Sequence, residues 1–185
     1  MKKLLIIASI ALGVVTSHAQ GTVTFANAAA TAITNVSTGP VGTPTATRAT
    51  VTVGLYGSTS LGLPNDASLT LIGAVGSTFT PGLFSLGVRN IGNAGDTVTL
   101  QVRAWSGAFA TYDAALAAAL VDGTTMVGKS TKWEQVTGGG PNPTQPITGA
   151  GRLTPFTVST VVPEPSSIAL GLLGLGAIAL FRRKK

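Results

Sequence analysis

The stretch Thr97-Val-Thr-Leu-Gln-Val-Arg-Ala-Trp105 has the most regular alternation in the chain. Successive side chains of a β-strand point to opposite faces of a sheet. The even-numbered residues 98–104 are all apolar, so this face is predicted to lie against a core. The odd-numbered residues 97–105, which end with Trp105, are predicted to form the outward, more polar face.

Shorter strand patterns surround this stretch and are separated by glycine, proline and asparagine. Asn93-Ala-Gly-Asp96 has the composition of a tight turn that leads into the best strand. The sequence therefore predicts a mainly β fold, an antiparallel β-sandwich-like body with one short helix. The further strands are predicted at residues 22–25, 50–56, 69–75, 83–88 and 156–161.

The single helix is predicted between Thr111 and Gly123. Thr111 is placed to cap its first turn, Asp113 suits the positive end of the helix, and Asp122-Gly123 is typical of a helix end. The apolar stripe that is predicted to pack on the sheet consists of Tyr112, Leu116 and Leu120.

Two stretches of low complexity are predicted to be flexible or to form loops, near residues 26–47 and 138–151. The second contains Gly138-Gly-Gly-Pro141 but no following Lys-Ser or Lys-Thr pair. A phosphate-binding loop is therefore not indicated.

The N-terminal residues have the three parts of a secretory signal peptide, predicted over residues 1–19. Lys2-Lys3 is the positive part, Leu4–Val15 is the apolar part, and Ser17-His-Ala19 supplies the small residues before a cleavage site. Cleavage is predicted between Ala19 and Gln20. The alternative is an uncleaved N-terminal anchor.

The charge of the chain lies mostly at its two ends. The whole sequence has a formal net charge of +6, whereas residues 20–161 contain six cationic and five acidic side chains, a net charge of +1. A nucleic-acid partner is not indicated, because it would need a clustered basic surface. The chain has no cysteine, so its stability must come from packing and backbone pairing rather than disulfides.

The last 24 residues have three parts: a stiff polar peptide at 162–167, an apolar run at 168–181 and a basic tail at 182–185. Pro163 and Pro165 fix their own φ angles and favour extended conformations in the residues before them, so the peptide around Glu164 is predicted to be rigid and exposed. The apolar run is predicted to be a membrane helix. Its large apolar residues are Ile168, Leu170, Leu172, Leu173, Leu175, Ile178, Leu180 and Phe181, and the basic stop consists of Arg182, Arg183, Lys184 and Lys185.

This run is short for a bilayer, since 14 residues of helix reach only about 21 Å against a hydrocarbon core of about 30 Å. The long cationic side chains partly offset the difference by reaching the headgroups. Basic residues after an apolar segment favour the cytoplasmic side, so the body is predicted to lie outside and the tail inside. The alternative is a buried core helix.

Residues 162–185 resemble the PEP-CTERM protein-sorting domain in their Val-Pro-Glu-Pro peptide, short Leu/Gly/Ala helix and basic end. The resemblance implies a bacterial exported protein whose helix is removed by a membrane-embedded exosortase, with recognition by Pro163, Glu164 and Pro165. It also implies an inner-membrane precursor with its body on the periplasmic side. Such proteins are associated with the cell surface, the extracellular matrix and biofilm of Gram-negative bacteria. The implied partners are the Sec export machinery, signal peptidase, exosortase and, before processing, membrane lipid.

Residues 20–161 contain no motif that predicts an activity. His18 is the only histidine and lies in the predicted signal peptide, so the usual triads, thiol nucleophiles and zinc sites lack their residues. The five acidic residues are isolated from each other in sequence, which disfavours a catalytic pair. The sequence therefore predicts no catalytic residue, no metal site and no cofactor, and a protein that is not an enzyme.

Two functions remain open at this point. The first is a structural or adhesive component of the cell surface or matrix. The second is a carbohydrate-binding or weakly glycan-active module, in which Trp105 and Trp133 stack on sugar rings of an extracellular polysaccharide. Packing of both indoles in the core or at an edge is the competing interpretation.

Overall fold

The structure is a computed structural model that describes residues 19–35, 45–46, 51–79 and 82–161. In these ranges the chain is mainly β, with one α-helix, α1 (Tyr112–Asp122), between the eighth and ninth strands. The mainly β prediction is confirmed. The strands are β1 (Gln20–Ala26), β2 (Thr34–Asn35), β3 (Thr45–Ala46), β4 (Thr52–Ser58), β5 (Thr70–Leu71), β6 (Gly76–Ser77), β7 (Ser85–Asn93), β8 (Thr97–Trp105), β9 (Met126–Lys129), β10 (Trp133–Val136), β11 (Gln145–Pro146) and β12 (Thr157–Thr160).

The described strands form two mainly antiparallel sheets. The smaller sheet has the order β11-β1-β7, and the larger has the order β3-β2-β12-β9-β8-β4-β5, with β10 on β8 and β6 on β4. Two pairs are parallel, β1 with β11 and β12 with β2. β8 is the centre of the larger sheet, because β4 pairs with it on one edge and both β9 and β10 pair with it on the other.

β8 has the bounds that its alternation predicts, but both of its faces are buried from Val98 to Trp105. The even-numbered residues join a core that also contains Val23 and Phe25 of the smaller sheet. The odd-numbered face meets a second apolar cluster, which contains residues of α1. The predicted outward face is therefore wrong, since a second layer covers it.

The ends of α1 follow the prediction. Thr111 Oγ1 accepts a hydrogen bond from the backbone N–H of Ala114 at 3.3 Å. Gly123 has φ 62°, a left-handed conformation that glycine adopts at little cost and that ends a helix.

The buried face of α1 differs from the predicted stripe. Tyr112, Ala115 and Ala119 are buried, whereas Leu120 is 53% exposed. The helix is apolar on nearly every side, so its periodicity did not indicate which face meets the sheet. The alanine face lies against β8 and β9, where small side chains allow close approach.

Other predicted segments are found with changed bounds. The turn at Asn93–Asp96 joins β7 to β8, with the N–H of Asp96 bonded to the carbonyl of Asn93 at 3.1 Å. The 138–151 stretch is not a loop throughout, because it contains β11, which pairs with β1. Thr22 and Gly138 also exchange two backbone hydrogen bonds of 2.9 Å, which attach the stretch to β1. The stretch near 26–47 is described only in part.

The predicted signal peptide, apart from Ala19, and the predicted membrane helix at 168–181 lie outside the described residues. Within the described ranges, no helix has both the length and the apolar character needed to cross a bilayer.

Candidate functional site

The predicted sorting residues Pro163, Glu164 and Pro165, the run 168–181 and the basic tail 182–185 lie outside the described residues. The predicted cleavage pair is described. Ala19 is exposed, and its carbonyl accepts a hydrogen bond from the N–H of Ala94 at 2.8 Å. Gln20 is the first residue of β1. The predicted cleavage point therefore lies directly before the first strand.

The two tryptophans that were candidates for sugar stacking are both buried. Trp105 is 0% exposed and Trp133 is 4% exposed. Each indole N–H has an internal acceptor, the carbonyl of Phe109 at 2.9 Å for Trp105 and Gln135 Oε1 at 2.8 Å for Trp133. Neither ring offers an open face to a sugar, so the structure supports the packing interpretation for both.

The deepest charged group of the described body is the guanidinium of Arg103, a residue that is 3% exposed. It lies over the rings of Tyr56, at 4.2 Å from the ring centre, and Tyr112, at 5.3 Å. Its Nε donates to Gln101 Oε1 at 2.8 Å and its Nη2 to the carbonyl of Asp66 at 2.8 Å. Both distances are typical of strong hydrogen bonds from a cation.

This Arg103 cluster joins four parts of the fold: the central strand β8, the neighbouring strand β4, the loop at Asp66 and the start of α1. The Tyr56 hydroxyl accepts a hydrogen bond from the N–H of Tyr112 at 3.0 Å, which attaches the helix to β4. Burial raises the pKa of both Tyr56 and Tyr112, so both phenols stay neutral. The cluster is suited to holding layers together. Sequence reasoning assigned Arg103 only to an outward face.

Asp66 is held by two lysines. Its carboxylate pairs with Lys132 Nζ at 3.2 Å and also with Lys129 Nζ. The hydrogen bond from Lys129 is the main reason that the pKa of Asp66 is lowered. Lys132 also donates to the carbonyl of Pro64 at 2.6 Å. The two lysines thus fasten the loop before β5 to the region between β9 and β10.

A surface pocket of about 460 Å³ lies beside this loop. It is bordered by Leu63, Lys132, Trp133 and Glu134 and by two glycines, Gly62 and Gly151. Glu134 Oε1 accepts a hydrogen bond from the N–H of Gly62 at 2.6 Å. Both charged side chains of the pocket therefore already have protein partners, which favours a structural role for them.

Asp122 closes the turn that links α1 to β9. Its Oδ1 accepts from the N–H groups of Thr124 and Thr125 at 2.8 and 2.9 Å, and its Oδ2 accepts from Thr125 Oγ1 at 2.6 Å. Hydrogen bonds from Thr125 are the main cause of its lowered pKa, which is about 2. The turn is therefore rigid and its acid is ionised at neutral pH.

The lowered pKa values of Asp122 and Asp66 predict that the stability of the fold depends on pH in the acid range. Both acids favour the folded state above their unfolded pKa of about 4. This contribution is lost as the pH falls through the folded pKa, which is about 2 for Asp122 and is lowered for Asp66 by the hydrogen bond from Lys129. We expect Asp122→Asn to reduce the loss of stability between about pH 5 and pH 2, and Asp66→Asn with Asp122→Asn to reduce it further. Urea unfolding of the full chain in mild detergent across this range measures it. An unchanged acid dependence in the double variant would contradict the assignment.

The last described strand brings the chain to the C-terminal end of α1. Thr160 of β12 pairs with Met126, the first residue of β9, and Met126 follows α1 after the turn closed by Asp122. Val161 packs against the cluster that contains Tyr112, Ala115 and Ala119. The chain therefore leaves the described body beside the end of this helix.

Comparison with known protein families gives one match, to the PEP-CTERM protein-sorting motif, over residues 161–185. The chain carries a PEP-CTERM motif. The resemblance seen at residues 162–185 is thereby confirmed. No curated protein and no solved structure matches the chain.

The PEP-CTERM motif begins at Val161, which directly follows β12 and is the last described residue. The motif implies an exported protein that passes the membrane and is sorted to the cell surface, with exosortase as its sorting partner. It matches only the last 25 residues of the sequence. The fold of residues 20–160 therefore has to be interpreted from its own contacts.

Within the described residues, no group of three or more histidine, cysteine, aspartate or glutamate side chains is arranged to hold a metal ion. The PEP-CTERM motif was visible in the sequence because its parts are consecutive. The Arg103 cluster was not, because its members come from four separate segments.

Proposed function

We propose that this chain is a structural or adhesive component of the cell surface or extracellular matrix, without enzymatic activity, that exosortase sorts through its tail. The observation that carries the proposal is the PEP-CTERM motif at residues 161–185. The precursor is anchored in the inner membrane by residues 168–181, with its body on the periplasmic side. Signal peptidase removes residues 1–19 after export by the Sec machinery.

A structural role is supported by the state of the acidic residues in the described body. Acid and base catalysis needs carboxylates that are available to substrate. Here each carboxylate has a protein partner within the fold, although Asp113, Asp122 and Glu134 remain exposed to solvent. The pairs are Asp66 with Lys129 and Lys132, Asp96 with Asn93, Asp113 with Arg103, Asp122 with Thr124 and Thr125, and Glu134 with the backbone of Gly62.

We also propose that the two sheets form an antiparallel β-sandwich-like body. In support, Val23 and Phe25 of the smaller sheet share one core with Val53, Leu55 and Leu100 of the larger sheet. Such a core lets a chain without cysteine stay folded outside the cell, because apolar burial contributes about 25 cal/mol per Å². Any contact with matrix polysaccharide is then made by surfaces other than the two buried indoles.

The experiment that tests the function compares the full chain in a host with exosortase and in the same host without it. With exosortase, we expect a surface-located protein whose intact mass lacks both residues 1–19 and the tail helix. Without exosortase, we expect the tail to remain and the protein to stay in the inner membrane. A surface protein that retains residues 168–185 in the first host would overturn the proposed sorting. Hydrolysis of the host's own polysaccharide by the purified protein would overturn the proposed absence of catalysis.

A further inference from the structure

The outer face of α1 is apolar although it is exposed to solvent. Val121 is 85% exposed and Leu120 is 53% exposed, and Ala114 and Ala117 are exposed beside them. Surface helices usually place charged side chains on their outer face. In α1 the only charged residues are at the two ends, Asp113 and Asp122. This face is suited to contact with an apolar surface.

The position of this face relates it to the tail. Val161 packs against the apolar cluster to which the inner face of α1 also belongs, and six residues separate Val161 from Ile168, where the proposed anchor begins. A fully extended chain covers about 3.3–3.6 Å per residue, so these positions are at most about 25 Å apart. When the anchor is inserted, the tether therefore keeps Val161 within about 25 Å of the start of the anchor, so the C-terminal end of α1 beside it can reach the bilayer.

We propose that, in the anchored precursor, Leu120 and Val121 lie in the interface of the lipid bilayer. The inference rests on the proposed function, because it needs the inserted anchor. The hydrogen-bonded turn closed by Asp122 joins the helix end to β9, against which the helix packs, so contact at Leu120 and Val121 sets the orientation of the body.

The lipid surface is favoured over a second copy of the chain by charge. Two α1 helices packed along each other would bring acidic ends together in either direction, Asp113 near Asp113 or Asp113 near Asp122, and like charges at an interface are unfavourable. A bilayer of neutral lipids has no carboxylate of this kind, so contact of Leu120 and Val121 with it avoids the repulsion between aspartates. Because α1 carries no cation, the contact does not need anionic lipid. The anchor holds the face at high local concentration, so a weak contact is sufficient.

The chain has no cysteine, so a single introduced cysteine reports on one position. We would label Val121→Cys with an environment-sensitive fluorophore in the full chain, and Leu120→Cys as a second reporter. Leu61→Cys is the matched control, because Leu61 is 59% exposed. It follows Ser60, whose carbonyl is bonded to Thr99, so it lies near the far end of β8, about 20 Å along the strand from Trp105.

The labelled proteins are reconstituted in phosphatidylcholine liposomes and separated by flotation. We expect the probes at 121 and 120 to show a blue shift in emission and quenching by spin-labelled lipid, and the probe at 61 to show neither. Protein that floats with a water-like probe at both 121 and 120 would overturn the inference while leaving the anchor intact. Protein that does not float would instead overturn the anchored precursor of the proposed function. A shift that depends on protein concentration and occurs without lipid would identify a second copy as the occupant and overturn the inference.

Discussion

Replacement of Pro163, Glu164 and Pro165 together by alanine is expected to abolish removal of the tail. Proline fixes its own φ angle and favours an extended residue before it, so a Pro-Glu-Pro sequence loses less conformational entropy on binding than a flexible one, and Glu164 provides its only charge. With three alanines, the peptide is flexible and neutral. Exosortase then lacks the two features, the restricted backbone and the negative charge, by which we expect it to recognise this peptide. In a host with exosortase, we expect the variant to accumulate in the inner membrane, with an intact mass that still includes residues 168–185.

The body provides a matched control for this variant. Pro141-Asn142-Pro143 has the same Pro-x-Pro spacing, and all three residues are exposed. Their replacement by alanine makes a similar change in a loop that is not the motif, and we expect normal processing. Removal of the tail at the wild-type rate from the variant of residues 163–165 would contradict recognition through these residues.

Replacement of Arg103 by alanine is expected to lower the free energy of unfolding by about 2–6 kcal/mol, because two acceptors lose their donor at about 1–3 kcal/mol each. The variant leaves Gln101 Oε1 and the carbonyl of Asp66 without their donor. It also removes the cation between Tyr56 and Tyr112, so the attachment of α1 to the sheet is weakened. Urea unfolding of the full chain in mild detergent, followed by tryptophan fluorescence, measures the loss.

The variant Asp113→Asn removes the ion pair with Arg103 and leaves the other contacts of the Arg103 cluster in place. Asp113 Oδ1 is 3.7 Å from Arg103 Nη1, and the Asp113 side chain is 78% exposed. Exposed pairs contribute about 0–1 kcal/mol, so we expect this variant to remain within about 1 kcal/mol of wild type. Equal losses for Asp113→Asn and Arg103→Ala would contradict the view that Arg103 acts mainly through its buried contacts.

Features set by neighbouring residues were predictable from the sequence. The PEP-CTERM motif is a consecutive arrangement of prolines, apolar residues and cations, so it needs no fold to be recognised. The bounds of β8, the caps of α1 at Thr111 and Gly123, and the turn at Asn93–Asp96 depend on local dihedral preferences and short-range hydrogen bonds. Each of these was predicted at or close to its position.

Features set by distant residues were decided only by the tertiary structure. The alternation of β8 predicted an exposed Trp105, but α1 covers that face, and burial on both sides removes the relation between alternation and exposure. The buried face of α1 and the role of Arg103 likewise depend on partners far away in the chain, such as Tyr56 and Asp66. By itself the sequence determined the bounds of β8, the ends of α1 and the sorting motif, because those limits are local. The tertiary structure alone decided which faces meet. It thereby placed the apolar C-terminal end of α1 near Val161, where the sorting motif begins.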